Sequence, residues 1–237
     1  MTGLIPACCG IAFLIGGIPF GYFAGRLVLK DDIRRHGSGN IGATNVARVL
    51  GWKWGSVVLF LDALKGLLPT LGAKLLLQSR LDESTLMLAQ LATGISAIAG
   101  HMFPVWLKLR GGKGVATALG VVLVISPIAS AAALLAFVIV LAVSRIVALS
   151  SIIAVTTFGV TQLTFMGNSA LSLSQLPLTL FSVIAPGLIV WRHRSNIARM
   201  LRGEESRLGS NRAESSATAD LTVPPTVDSV SGENVSA

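Results

Sequence analysis

Residues 115–143 read VATALGVVLVISPIASAAALLAFVIVLAV, an apolar run with no charged side chain, broken only at Ser126-Pro127. As one helix at about 1.5 Å per residue it would be about 43 Å long, against a hydrocarbon core of about 30 Å. It can therefore cross a bilayer once with tilt, or twice as two short helices. Charge decides between them. Before it lie two basic stretches, Lys30 to Lys53 and Leu107 to Gly114, and after it come Arg145 and the cluster Arg192, Arg194, Arg199, Arg202 and Arg207. If the first stretch is inside, so is the second, because two apolar spans separate them. A single crossing would then put Arg145 and the final cluster outside. A turn back at Pro127 puts them inside, which the basic-inside bias of membrane proteins favours. Short or broken helices are tolerated where protein or a cavity surrounds them.

The rest of the chain fits this frame. Of its 237 residues, 52% are hydrophobic and only 13% charged, half the charge of an ordinary soluble domain, and the mean hydropathy is +0.73. Further spans are expected at about Leu4 to Leu29, Trp54 to Leu77, Thr85 to Trp106, Ile146 to Met166 and Leu176 to Trp191. The fold expected is an all-α integral membrane protein, a bundle of about seven transmembrane helices, some short, N-terminus out and C-terminus in. A polytopic membrane domain would cover 1–205. Residues 206–237, rich in Ser, Thr, Ala, Pro and acids, read as a disordered cytoplasmic tail. The net charge of +8 and pI near 10.3 follow from the basic inner face without any nucleic acid. Adjacent Cys8 and Cys9 suit neither a metal site nor an ordinary disulfide and read as small apolar fillers. The N-terminus lacks a basic start and a convincing cleavage site, so it reads as a first span.

Three basic, glycine-bearing stretches would meet at one face. The first is His36-Gly-Ser-Gly-Asn-Ile-Gly-Ala-Thr-Asn45-Val-Ala-Arg48. Its small residues let backbone approach a ligand, Ser38, Asn40, Thr44 and Asn45 offer short polar groups, and Arg48 offers a planar fork suited to phosphate. Gly37-x-Gly39-x-x-Gly42 formally matches the dinucleotide fingerprint, but a membrane span precedes it where that fingerprint needs a strand. The second is Gly100-His101-Met-Phe-Pro104 followed by Lys108-Leu-Arg110-Gly111-Gly112-Lys113-Gly114-Val-Ala-Thr117. Glycines beside a lysine at a helix start make an anion site, while the P-loop spacing for ATP is missing. Lys108 and Arg110 read as interfacial snorkels. The third is Trp191-Arg-His193-Arg194-Ser-Asn196-Ile-Ala-Arg199-Met-Leu-Arg202-Gly-Glu204-Glu205, in which His193, Asn196 and Arg199 would share a helical face. Within the span 54–77, Asp62 and Lys65 sit three apart and are expected to pair within the bundle rather than do chemistry.

The chain resembles the bacterial acyl-phosphate:glycerol-3-phosphate acyltransferase family, PlsY, on GSGNIGATNVARVLG at 37–51, GHMFPVWLKLRGGKGVAT at 100–117, HRSNIARMLRGEE at 193–205 and LDALKG at 61–66. Leu109-Arg110 and Met200 depart from the family's usual residues but keep charge and apolarity. The resemblance implies seven transmembrane helices with a cytoplasmic active site in the bacterial inner membrane. It also implies acyl transfer from acyl phosphate to the sn-1 hydroxyl of glycerol 3-phosphate, giving lysophosphatidic acid and phosphate, a first step of phospholipid biosynthesis. Carried over, Ser38, Arg48, Lys113, His193 and Asn196 would be catalytic. Gly37, Gly39, Asn40, Thr44, Asn45, Gly111, Gly112 and Arg194 would bind substrate. No cofactor, no metal, no nucleic acid and no protein partner for catalysis are expected; the partners are the two substrates and membrane lipid.

The donor is already an activated anhydride, so positioning and preorganised charge suffice in principle. The donor's own phosphate is favoured over His193 as proton acceptor. His-x4-Asp chemistry is absent, since Ile41, Trp106 and Ala198 stand where the Asp would be. A nucleophile elbow is absent too. The rival reading is a transporter or flippase for a phosphorylated metabolite, which would often show internal repeats. A structural lipid-binding membrane subunit is a third.

Overall fold

Proline and glycine set where the apolar blocks of this chain stop being helix. In the computed structural model, which describes residues 3–208, those blocks form ten α-helices, with no strand among the described residues. Helices α1 (Leu4–Gly16) and α2 (Phe20–Val28) form one apolar segment broken at Gly17-Ile18-Pro19, where proline supplies no N–H to continue the ladder. The short α3 (Ala43–Leu50) precedes the long α4 (Trp52–Leu77). Helix α5 (Glu83–Met102) starts at Asp82, whose carboxylate accepts the Thr85 N–H at 3.0 Å. Then follow α6 (Val115–Ile125), α7 (Pro127–Ser144), α8 (Val147–Met166), α9 (Leu176–Arg192) and α10 (Arg194–Leu201).

Five segments are long and apolar enough to cross a bilayer: Leu4–Val28, Trp52–Leu77, Glu83–Leu107, Pro127–Ser144 and Val147–Leu171. The pair α9–α10, bent by 57°, can supply a sixth, and α6 is a shorter apolar helix. This is an all-α integral membrane protein. The expected tail lies outside the described residues from 209 onward.

The decisive block does divide where its sequence breaks, at Ser126, into α6 and α7. Its two ends are tied to the same region of the chain. Lys113, just before α6, donates to Asn196 Oδ1, and the carbonyl of Arg145, just after α7, accepts the Leu208 N–H at 2.7 Å. Asn196 and Arg199 both bond Glu205, so 196–208 is a local cluster. Both ends of the block are therefore tied to the 196–208 segment.

Small residues bring the helices together. A methyl group on Gly66 or Gly120 would overlap the backbone of Thr117 or Ala63, and one on Gly16 or Gly100 would overlap that of Ala97 or Phe13. So α4 lies directly on α6, and α1 on α5, the close approach that drives association where no water is present to do so. Asp62 and Lys65 pair at 2.9 Å with both side chains buried. The break between α1 and α2 frees the Ile18 carbonyl, which accepts from Lys65 Nζ at 2.9 Å. The charged pair is thus part of the bundle's packing, as its spacing suggests.

Candidate active site

Each of the three motifs contains the start of a helix. Gly42 precedes α3, Gly114 precedes α6 and His193 precedes α10, and residues from all three helix starts line one cavity of about 450 Å³. The first N–H groups of a helix have no intrahelical acceptor, and the helix start carries partial positive charge. Three such starts around one cavity make a site for an anion.

The first motif is a loop built around Asn45. Its buried amide donates to the carbonyls of Asn40 (2.8 Å), His36 (3.1 Å) and Ile33 (3.4 Å). Its Oδ1 accepts the Ser38 N–H at 2.7 Å and the Ser38 hydroxyl at 3.1 Å. Asn40 Oδ1 accepts the Gly42 N–H at 2.8 Å. At Gly37 the chain turns with φ +60°, and a Cβ there would overlap Asn45 Oδ1, so glycine alone fits. Ser38, Asn40, Thr44, Asn45 and Arg48 line the cavity. Thr44 and Arg48 stand one helical turn apart on the same face. Arg48 is exposed and makes no hydrogen bond among the described residues. Partial desolvation of its guanidinium holds its pKa below the usual arginine value, while nearby Glu205 opposes that.

The second motif folds back on α5. Gly111 N–H donates to the Met102 carbonyl and Gly112 N–H to the His101 carbonyl, each at 3.1 Å. A Cβ on Gly112 would overlap the His101 ring, which fills the space beneath it. Arg192 Nη2 donates to the carbonyls of Gly111 (3.1 Å) and Gly112 (2.7 Å). This clamp fixes the strand that carries Lys113. Burial pushes the Lys113 ammonium down to about 8, and Arg199, Arg48 and Arg192 push the same way against Glu205.

The third motif crosses the bend between α9 and α10. His193 sits at that bend rather than on the face of a continuous helix with Asn196 and Arg199. Its Nδ1 lies 2.8 Å from the Ile189 carbonyl, which can only accept, so Nδ1 carries the proton. Burial first, and the Lys113 charge next, hold the His193 imidazole at about 4, so it is neutral at ordinary pH and Nε2 keeps its lone pair. Asn196 is held by Glu205 Oε1 at 2.7 Å, and Arg199 by Oε2 at 2.7 Å.

Of the residues singled out by sequence, the cavity brings together Ser38, Asn40, Thr44, Asn45, Arg48, Lys113, His193 and Asn196. Gly37, Gly111 and Gly112 shape the backbone beside them, and Gly39 lines a neighbouring cleft with Gly111. Arg194 lies elsewhere, stacked 4.4 Å over the Trp191 ring. The motifs gave Glu205 and His101 no place in the site, and Asp62 was expected only to pair with Lys65; all three also line the cavity. The acidic pair Glu204-Glu205 closing an arginine-rich motif was the available signal for Glu205. Among the described residues no group of three or more His, Cys, Asp or Glu side chains is placed to hold a metal. Away from the polar end, the cavity continues between α6, α7, α8 and α9 as an apolar channel past Leu119, Val122, Phe137, Phe158 and Phe181. Helix α6, about 16 Å long, is too short to fill a bilayer's depth, which leaves room for it.

A pH dependence follows. An anionic substrate needs Lys113 charged. In the free enzyme kcat/KM should fall as pH rises through about 8, where that ammonium loses its proton. In Lys113→Arg the alkaline decline should move beyond pH 10. A pH–rate profile for both proteins checks this; an unmoved decline in the arginine variant would assign it to another group.

Residues 6–203 match the family model described as glycerol-3-phosphate acyltransferase. A glycerol-3-phosphate acyltransferase of Myxococcus xanthus (strain DK1622) is 47% identical over 197 residues, covering 83% of this chain and 96% of the relative. One from Synechococcus elongatus (strain ATCC 33912 / PCC 7942 / FACHB-805) is 42% identical over 200 residues, 84% and 92% of the two chains. The chain is also similar to a crystal structure of PlsY, an integral membrane glycerol 3-phosphate acyltransferase, in its glycerol 3-phosphate form. The TM-score is 0.75 at 37% identity, with 86% of this chain and 96% of that one covered. For the lysophosphatidic acid form the TM-score is 0.71, again at 37% identity, with 86% and 95% covered.

Proposed function

The chain belongs to the glycerol-3-phosphate acyltransferase family, and from that membership we propose acyl phosphate as its acyl donor and the cavity of the three motifs as its active site. The enzyme acylates glycerol 3-phosphate in phospholipid biosynthesis. The observation that supports this donor is the shape of the cavity: a polar end ringed by three helix starts, Arg48 and Lys113, continuous with an apolar channel. An acyl phosphate has those two ends. Its chain lies in the channel, which opens among membrane helices, and its phosphate meets the helix starts. The basic motifs face the cytoplasm of a bacterial inner membrane, N-terminus out and C-terminus in, by the positive-inside bias.

In this mechanism the sn-1 oxygen attacks the acyl carbonyl, the new ester C–O bond forms, and the bond from carbonyl carbon to phosphate oxygen breaks. The hydroxyl proton passes to the departing phosphate. Phosphate is the better acceptor: once the bond to the acyl carbon breaks, the departing oxygen carries the charge that the proton neutralises, whereas the His193 imidazole is held at about 4. His193 instead accepts a hydrogen bond through Nε2 and, with Asn196, orients glycerol 3-phosphate. Arg48 and Lys113 meet the phosphate charges, and the helix starts supply preorganised donors. Ser38, Asn40 and Thr44 offer short polar groups beside them, and Asn45 holds their loop. Replacing His193 with Gln, which keeps a polar group without a titratable base, is expected to lower kcat by about tenfold or less. A loss above about 10³-fold would make His193 the base.

Purified protein in detergent tests the donor. Palmitoyl phosphate with glycerol 3-phosphate should release inorganic phosphate and form lysophosphatidic acid, while palmitoyl-CoA and palmitoyl acyl carrier protein should give no product. Equal or faster turnover with either thioester would overturn the proposed donor.

A further inference from the structure

We propose that a second, separate site on this face binds the phosphate group of an anionic membrane lipid. It is the cleft of about 840 Å³ beside the second motif, lined by Arg34, Arg35, Lys108, Arg110 and Arg192, with Ile41, Trp106, Leu107 and Leu109 as its apolar part and no carboxylate in its lining. It shares no lining residue with the acyl-transfer cavity. The proposal rests on this charge and shape, independently of the donor assignment.

A basic inner face alone asks only for a surplus of Lys and Arg. This cleft has more: its guanidinium groups are held in place. Arg34 is fixed by Asp32 at 2.6 Å and lies 5.6 Å over the Tyr22 ring. Arg192 is held by the Gly111 and Gly112 carbonyls and lies 5.7 Å from the Phe103 ring. Arg35 pairs with exposed Asp31 at 3.2 Å. Arg192, Lys108 and Arg110 have no carboxylate partner among the described residues, so their charge is uncompensated. Phosphate is the anion that a preordered guanidinium fork fits.

The depth of the cleft selects a lipid rather than a soluble phosphate. Its wall is the turn that ends the apolar segment Glu83–Leu107, so it sits where a bilayer's interface would be. Trp106 and Leu109 are 62% and 57% exposed beside the cations, the pairing of aromatic and basic residues that anchors at headgroup level. Lys108 and Leu109 are both left-handed, with φ 53° and 62°, and the turn is closed by Leu109 N–H to the Pro104 carbonyl (3.0 Å) and Arg110 N–H to that of Leu107 (3.2 Å). Two adjacent non-glycine residues in that region are strained, so the turn is a built feature. Arg192 joins the two sites: it lines this cleft and clamps the Gly111–Gly112 strand from which Lys113 enters the other.

Native mass spectrometry of purified full-length protein, titrated with dioleoyl phosphatidic acid and with dioleoyl phosphatidylcholine, tests this. Wild type should retain one phosphatidic acid at least tenfold more tightly than phosphatidylcholine. The variant K108A/R110A should lose that preference while keeping wild-type turnover in detergent and an unchanged melting temperature. Arg48→Ala, altered in the other cavity, should retain it. Millimolar inorganic phosphate should not displace the lipid; displacement would assign the cleft to free phosphate and overturn the lipid reading. Undiminished retention by K108A/R110A, or its loss in Arg48→Ala, would also overturn the proposal.

Discussion

Replacing Lys113 with Met is expected to lower kcat/KM for glycerol 3-phosphate by about 10²- to 10³-fold, the effect of removing one preorganised charge from a reacting centre. In the proposed mechanism, charge placement at the helix starts carries the catalysis. Lys113 stands just before α6 between Gly112 and Gly114, donates to Asn196, and is partly buried. Buried charge acts at a lower effective dielectric than surface charge, so its removal is felt in full. Methionine keeps the length and apolar stem, which limits the change to the ammonium. Lys113→Arg retains charge but not the compact geometry and should recover only part of the activity. Initial rates of phosphate release from palmitoyl phosphate read both variants. A loss below about tenfold in Lys113→Met would mean that Lys113 is not among the groups that stabilise the transition state.

The largest effect on stability is expected from Asp62→Leu. This change leaves Lys65 buried, with the Ile18 carbonyl as its remaining hydrogen-bond partner and no opposite charge. Stranding one half of a buried pair costs about 3–5 kcal/mol, whereas replacing both halves by apolar groups of similar size can be nearly neutral. At about 2–4 °C per kcal/mol for a chain of this size, Asp62→Leu should melt about 10 °C below wild type in detergent. The double variant D62L/K65M should regain most of that difference. Thermal unfolding followed by intrinsic tryptophan fluorescence separates the three proteins. A single variant melting within about 2 °C of wild type, or a double variant no better than the single, would contradict a structural role for the pair.

The apolar blocks and their charged punctuation made most of the fold legible. The break at Ser126-Pro127 is visible because proline stands in a run free of charged residues. The break between α1 and α2 was not legible: Gly17-Ile18-Pro19 lies in an unbroken apolar run, and the need for a free Ile18 carbonyl arises only from Lys65, distant in sequence. The bend at His193 escaped for a similar reason. Helical periodicity put His193, Asn196 and Arg199 on one face, whereas the chain turns at His193 and Arg199 is held by Glu205.

The site's residue types were legible in the motifs, but the division of labour among them was not. Asn45 looks like a ligand in sequence, yet its amide is occupied by the carbonyls of its own loop and by Ser38. Arg192 looked like part of a basic flank and proves to clamp the glycines of the second motif. Glu205 looked like no more than the last residue of the third motif and is the carboxylate that holds Asn196 and Arg199. In each case the deciding partner lies elsewhere in the chain or around a bend, where spacing along the sequence carries no information.

The account depends most on the three basic motifs occupying the same side of the membrane. Single cysteines at Lys53, Leu109 and Arg202, each at an exposed position, can be placed in a background lacking the free Cys8 and Cys9. An impermeant maleimide applied to sealed vesicles of known orientation then reads their sides. All three should label from the cytoplasmic side alone; labelling of the Arg202 position from the side opposite to the other two would contradict a shared active site.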